Sequence, residues 1–302
     1  MEIQQLRYVV ALSQELHFLK ASRRMNVSQP TLSQQVKKLE DELGVPLFER
    51  SPRNIRLTSY GKKFLPHAVS VLDTLQQGMR ELKEDAGVVT GTIRLGVIPT
   101  ICPYLMPEVL TALAKIAPLV RVALYEETTS ALIEDLRSGR LDMGILALPV
   151  ADKGVSTLSL HREPFFAAVA KSHPLASRKV LGRSELLKEK LLILQEGHCF
   201  GLQSMEFCKI DRRDPQVSFQ GSSLTSVMAL AELGQGVTFV PKMAVDKTPG
   251  TRLKFIPLAP KDQPSREIGA AWRLTAPLDR AQRIFLKTLE DRFKTARSMA
   301  PA

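Results

Sequence analysis

ELHFLKASRRMNVSQPTLSQQVKKLE, residues 15–40, holds two helical patterns that meet at a short turn. The first runs from Phe18 to about Met25, with Ala21 small enough for a close helix crossing. Asn26-Val27-Ser28 then breaks the helix. Ser28 is a good N-cap for a second one, and Pro30 falls in its first turn, where a missing N–H leaves nothing unpaired. Leu32, Val36 and Leu39 recur at intervals of four and three, which makes one face to bury. The other face carries Gln29, Thr31, Ser33, Gln34, Gln35, Lys37 and Lys38. Short polar groups near a helix N-terminus suit base edges, and lysines farther along suit phosphates, as in a helix-turn-helix that reads DNA. An ordinary amphipathic helix pair has the same spacing, so the flanking sequence has to decide.

The flanks favour DNA. Leu43-Gly44-Val45-Pro46-Leu47-Phe48-Glu49-Arg50 closes the helix, and Ser51 to Thr58 reads as a two-stranded wing with Arg50, Arg53 and Arg56 on it. Residues 1–65 hold eleven Lys and Arg against six acids, a net +5 within a chain of net +11. Basic charge beside a helix-turn-helix is the electrostatic footprint of duplex binding. The expected DNA-facing residues are Ser28, Gln29, Pro30, Thr31, Ser33, Gln34, Lys37, Arg50 and Arg53.

A length of 302 residues accommodates two or three domains, and 44% apolar with 24% charged residues is ordinary for a globular chain. No apolar run approaches the roughly 20 residues of a membrane span, and the first residues show no secretory signal, so a cytoplasmic protein without a membrane partner is expected. Beyond the wing, Tyr60 to about Gly87 is a long helical stretch with Val69, Val71, Leu72, Leu75 and Met79 in a stripe suited to pairing with a second copy or to packing on its own domain. Residues 87–91 read as a hinge. Strand and helix patterns then alternate: strands at Ile93–Val97, Val120–Tyr125 and Met143–Leu146, helices at Tyr104–Ala117 and Thr129–Gly139. Further strands fall at Phe165–Ala170, Leu191–Leu194, Gly236–Pro241 and Glu267–Arg273, with helices at Ser223–Gly234 and Pro277–Thr295. This is the pattern of a parallel α/β sheet, whose ligands bind beyond the strand ends, here near Thr100 and Thr129. Helix capping is the competing role for either threonine.

Two of the three cysteines, Cys199 and Cys208, stand nine positions apart, with His198 beside the first. On a helix that interval spans about 13.5 Å, too far for a disulfide, whereas a loop brings them together. A thiol switch that reshapes the backbone, a core patch of Met205, Phe207 and Cys208, and a metal site all compete, the last weakest because tetrahedral ligand spacing is lacking. No catalytic triad, paired carboxylates or phosphate-cradling glycine loop is evident, so neither an enzyme nor a cofactor is expected.

Phe18, Ala21, Ser28-Gln29-Pro30-Thr31-Leu32-Ser33, Leu39-Glu40, Leu43 to Arg50 and Thr58-Ser59-Tyr60-Gly61 together resemble LysR-type transcriptional regulators, over the whole chain. The resemblance implies a winged helix-turn-helix over residues 1–58 and a dimerisation helix and hinge over 59–90. It further implies a regulatory domain over 91–302, with one subdomain formed by 91–163 and 267–302 and another by 164–266. It also implies promoter DNA and RNA polymerase as partners, and a homotetramer built as a dimer of dimers. Gly197-His198-Cys199, Gln203, Met205 and Phe207-Cys208, with Val97 to Thr100, Pro103 to Leu105, Glu126 and Thr129, resemble the peroxide-responsive OxyR branch of that family. Carried over, Cys199 is the peroxide-reactive thiol and Cys208 the resolving one, with Thr100, Thr129 and His198 shaping the pocket for hydrogen peroxide or another small effector. One departure stands out. The branch usually places arginine and aspartate where this chain has Gly201 and Leu202, and loss of a nearby cation should raise the thiol pKa. A cysteine peroxidase needs similar thiols but leaves the basic N-terminal half without a purpose, and a two-lobed solute-binding protein does the same.

Overall fold

The computed structural model describes residues 1–51, 54–84, 89–195, 199–211, 213–260 and 263–298. At the N-terminus, α1 (Ile3–Glu15), α2 (Phe18–Arg24) and α3 (Gln29–Leu43) precede the paired strands β1 (Phe48–Ser51) and β2 (Asn54–Leu57). Asn26 turns the chain between α2 and α3 with φ 55°, a left-handed conformation that asparagine tolerates. The Ser28 hydroxyl then accepts a hydrogen bond from the Thr31 N–H at 3.2 Å and starts α3. Leu32, Val36 and Leu39 are wholly buried against Leu12, Val9 and Ala21, so the spacing expected from the sequence is the face that packs.

Thr58-Ser59-Tyr60-Gly61 clamps the wing to the long helix α4 (Ser59–Glu84). The Thr58 hydroxyl donates to Pro46 O at 2.7 Å and accepts from the Gly61 N–H at 2.9 Å, while the Thr58 N–H donates to Leu47 O. Gly61 packs so closely that an added Cβ would sit 2.1 Å from the Leu47 carbonyl oxygen. The stripe along α4 divides. Val69 is buried and Leu72 packs on the N-terminal core, whereas Val71 and Met79 stay about half exposed.

The rest of the chain forms β3 (Gly91–Val97), α5 (Cys102–Ile116), β4 (Val120–Glu126), α6 (Thr129–Arg137), β5 (Met143–Leu148), β6 (Val155–Ala170), α7 (Arg183–Leu186), β7 (Leu191–Leu194), α8 (Cys199–Cys208), β8 (Val217–Gly221), α9 (Leu224–Glu232), β9 (Val237–Pro241), α10 (Lys242–Asp246), β10 (Leu253–Pro257), β11 (Ser265–Arg273) and α11 (Arg280–Ser298). Hydrogen bonding orders the sheet β4-β3-β5-β11-β6-β9-β7-β8, with β10 also on β6. Two cores result. One gathers Leu95, Val97, Leu132, Ile145 and Phe285, the other Phe165, Leu192, Val227 and Phe239. The long strand β6 serves both, pairing with β11 from Val155 to Pro164 and then with β9 and β10 from Phe165 onward. The sequence marks only the second half of β6, because Val155 to Pro164 mixes polar and apolar residues without an apolar run. Strands β8 and β10 also lie outside the expected set, being short and interrupted by polar residues. Among the described residues no helix is long and apolar enough to cross a membrane.

Gly61→Ala forces the α4 terminus away from Leu47. Overpacking of this kind costs about 1–3 kcal/mol, so the N-terminal domain should lose that much in a urea titration of the intact chain. Unchanged stability would mean that the clamp yields freely.

Candidate functional site

The polar side of α3, expected to face DNA, is exposed at Gln29, Pro30, Thr31, Gln34 and Lys37 and half-buried at Ser33. Gln35 turns inward and accepts from the Gln5 amide at 3.2 Å. The Ser28 and Thr31 hydroxyls share a 2.7 Å hydrogen bond, so both are engaged in the cap as well as lying at the helix tip. Arg50 is more tightly held than its position in the wing suggests. Its Nη2 donates to Glu40 Oε2 at 2.7 Å, and its guanidinium lies 5.3 Å from the centre of the Phe18 ring. The other Glu40 oxygen accepts from the N–H groups of Leu47 and Phe48 at 2.8 and 3.1 Å. Glu40 therefore ties α3 to the start of the wing, and Arg50 is a strut as well as an edge cation. Arg53 lies outside the described residues, while Arg56 is exposed.

The second site gathers where β3, β6, β11 and α8 converge. His198 lies outside the described residues, and of Cys199 only the backbone, as the first residue of α8, is described. Phe200 is 2% exposed and packs on Phe165, ring centres 4.5 Å apart. Over its face lies the guanidinium of Arg266, 5.5 Å from the ring centre. Arg266 has no contact with water, and each of its three nitrogens donates a hydrogen bond: Nε to Glu163 Oε2 at 2.7 Å, Nη1 to Thr100 Oγ1 at 2.6 Å, and Nη2 to Thr100 O at 3.0 Å. The second Glu163 oxygen accepts from the Met243 N–H at 2.6 Å. Arg266 and Glu163 are 103 positions apart and carry no local signature in the sequence.

Thr100 and Thr129 each stand three residues past Val97 and Glu126, which pair across β3 and β4, so the sheet brings both to the same edge. Neither caps a helix: Ile101 and Thr128 hold the N-cap positions of α5 and α6. Thr100 is buried and bound to Arg266. The Thr129 hydroxyl is buried and has no hydrogen-bond partner among the described residues, which leaves a donor and acceptor open at this point.

Cys199 and Cys208 occupy the two ends of α8, which settles the choice between helix and loop. Ten helical residues hold the two Cα atoms about 13.5 Å apart, and a disulfide needs less than about 7 Å. A bond between them requires α8 to unwind. Cys208 is free, 1% exposed, and burial pushes its thiol up to about 12. Cys102 is likewise free and buried, its thiol hydrogen-bonded to Glu126 and raised to about 12, first by burial and then by that carboxylate. Gly201 has a structural cause, since a Cβ there would meet the Leu194 carbonyl oxygen at 2.6 Å. The first turn of α8 thus closes on the end of β7 only with glycine at that position. Among the described residues no group of three or more His, Cys, Asp or Glu is placed to hold a metal.

A capped reading helix with a wing, joined by a long helix to a two-lobed α/β domain, defines a DNA-binding regulator with a separate signal-receiving domain. Residues 3–62 match the bacterial regulatory helix-turn-helix proteins of the lysR family, and residues 86–294 match the LysR substrate binding domain. The chain belongs to the LysR family. It is 36% identical to the DNA-binding transcriptional dual regulator OxyR of Escherichia coli K12 over 282 residues, covering 92% of this chain and 91% of that one. A full-length OxyR of Pseudomonas aeruginosa with a cysteine-to-aspartate substitution superposes with a TM-score of 0.80 at 36% identity, over 97% of this chain and 95% of the other. A hydrogen-peroxide-bound cysteine-to-serine variant of Corynebacterium glutamicum OxyR gives 0.63 at 32% identity, over 99% and 96%.

Two outcomes test this geometry. Glu40→Ala removes charged acceptors from two buried N–H groups, each worth about 1.5–3 kcal/mol, and should lower stability by at least about 2 kcal/mol in denaturant; a loss under 0.5 kcal/mol would refute the tie. The native thiols of Cys102 and Cys208 should resist iodoacetamide at pH 7, as read by peptide mass mapping. Burial raises the Cys208 thiol from 9.0 to about 12. The folded state thus favours the neutral thiol, a contribution complete below about pH 9 and lost as pH rises toward 12. Alkylation of Cys208 should accordingly climb above pH 9.

Proposed function

We propose that this chain is a transcriptional regulator that senses hydrogen peroxide through a reversible Cys199–Cys208 switch. The observation that carries it is the placement of these two cysteines at opposite ends of one short helix, whose second residue, Phe200, covers a buried arginine. The Cys199 thiolate attacks one peroxide oxygen; the S–O bond forms, the O–O bond breaks, and the departing hydroxide takes a proton and leaves as water. The Cys208 thiol, freed from the core as α8 unwinds, gives up its proton and attacks the sulfenic sulfur; the S–S bond forms, the S–O bond breaks, and the departing hydroxide takes that proton and leaves as a second water. Two thiols are oxidised by one peroxide.

Thr100, Thr129 and His198 form the peroxide pocket. The open Thr129 hydroxyl supports this role, because a peroxide oxygen needs hydrogen-bond partners that are not already taken. Several features make α8 ready to unwind. It has ten residues, short of the length at which an isolated helix persists, it contains a glycine, and Ser204 spends its hydroxyl on the Phe200 carbonyl. At the other end of the molecule Gln29, Pro30, Ser33 and Gln34 read base edges, with Ser28 and Thr31 at the helix tip. Lys37, Arg50 and Arg53 meet phosphates. The protein works in the cytoplasm as a homotetramer on promoter DNA with RNA polymerase.

A second reading rests on a cavity of about 640 Å³ lined by Gln203, Glu206 and Phe207 of α8 together with Arg162, Ser265 and Glu267. The Gln203 side-chain oxygen is buried without a partner among the described residues. A small polar effector bound there would bias the same helix with the cysteines incidental.

Brief treatment with stoichiometric peroxide, followed by alkylation and non-reducing mass mapping, should yield a Cys199–Cys208 disulfide within minutes. DNA footprints should change with it, and Cys199→Ser should abolish both. Promoter control that survives Cys199→Ser would transfer the signal to the cavity. For the reading helix, Lys37→Ala should weaken binding evenly and reduce the salt slope by about 1, whereas Gln29→Ala should change base preference at about 1–3 kcal/mol.

A further inference from the structure

We propose that the ion pair between Asp73 and Arg273 is the joint that seats the DNA-binding half against the regulatory domain, and that strand β11 links this joint to the thiol switch. The joint is built from a side chain with almost no solvent access. Arg273 Nη2 and Nε donate to Asp73 Oδ2 at 2.7 and 3.1 Å, and Nη1 donates to the carbonyls of Leu136 and Leu141 at 2.8 and 2.5 Å. One guanidinium thus binds α4 and, at the same time, both sides of the turn between α6 and β5. The same turn grips α4 and α1 sterically and by hydrogen bonds. Gly139, at φ +72°, leaves no room for a Cβ, which would lie 2.7 Å from Val69. The Gln14 amide donates to Ser138 O at 3.0 Å. From the far side, the Ser70 hydroxyl donates to Thr275 O at 3.2 Å, just past the end of β11. Beside these contacts a cavity of about 430 Å³ separates the domains, lined by Val10, Gln14, Gln76 and Arg94 among others, so the seam is pinned at points and is not packed throughout.

The link to the switch is the strand itself. Arg266 near one end of β11 lies against Phe200 of α8, and Arg273 ends the other, seven residues or about 23 Å away. Both arginines are buried and hold their neighbours by charged hydrogen bonds, and between them β11 is paired on both sides, with β5 and β6. A strand paired on both edges moves as a unit. Unwinding of α8 strips Phe200 from Arg266 and opens the dry surroundings of the Arg266–Glu163 pair. The resulting shift of β11 is delivered to the Arg273 side chain, which grips α4 at Asp73.

This inference rests on the redox reading for the origin of the signal, and the test separates the two. Full-length Asp73→Asn keeps the shape of the side chain and removes its charge, and Arg273→Lys keeps the charge and removes the fork. In reduced protein, hydrogen exchange at residues 65–79 and 136–141 should speed up by about tenfold or more in Asp73→Asn and less in Arg273→Lys. The disulfide should form at the wild-type rate after peroxide, and the difference between reduced and oxidised footprints should disappear. Unchanged exchange, or a footprint that still switches, overturns the joint. If the wild type itself forms no disulfide, the redox reading fails on its own, and the exchange data still decide whether Asp73 and Arg273 seat the domains.

Discussion

A guanidinium with no access to water has to be met on every side. Arg266 is met by Glu163 from β6, by the hydroxyl and carbonyl of Thr100 after β3, and by the ring of Phe200 from α8, while the N–H of Met243 in α10 completes Glu163. Desolvating such a pair costs several kcal/mol per ion, and removing one partner leaves a penalty of about 3–5 kcal/mol. The pair persists only while all these elements keep their places. Four parts of the regulatory domain are therefore registered against one another at a single point, and the N-terminus of α8 stands beside it. A covalent event at that terminus acts on an arrangement that tolerates few intermediate positions.

Charge is used in the same way elsewhere in the molecule. Glu40 collects two backbone N–H groups and Arg50, which fixes the wing to the reading helix. Arg94 forks onto Asp142, and Arg273 grips Asp73 together with two carbonyls. Each bridges segments that hydrophobic packing alone leaves free to slide, because buried apolar contact is non-directional and charged hydrogen bonds are not. Along β11, two such arginines stand at either end of a strand bonded on both edges, one meeting α8 and the other α4.

The cysteines show a different division of labour. Burial holds Cys102 and Cys208 as neutral thiols, and Cys208 belongs to a hydrophobic core in the reduced form. A thiol kept in such a core is shielded from solvent and from solution oxidants. The glycine at position 201, which from the sequence looks like the loss of a helpful cation, has a packing cause at the Leu194 carbonyl.

The sequence by itself determined the DNA-binding unit. Ser28 as cap, Pro30 in the first turn, and Leu32, Val36 and Leu39 on one face act within one or two helical turns, so adjacent residues suffice to read them. Alternating strand and helix patterns likewise announced an α/β regulatory domain. Tertiary structure decided the rest. It extended β6 through ten residues of mixed polarity, because pairing with β11 supplies what the local pattern lacks. It made the cysteine segment a helix, and it turned Gln35 inward and Arg50 onto Glu40. Above all it brought Arg266 to Glu163 and Arg273 to Asp73 across 103 and 200 positions of chain. No local spacing encodes such pairs, since what selects them is the cost of leaving a buried charge unmet, and that cost exists only once the fold has closed around it.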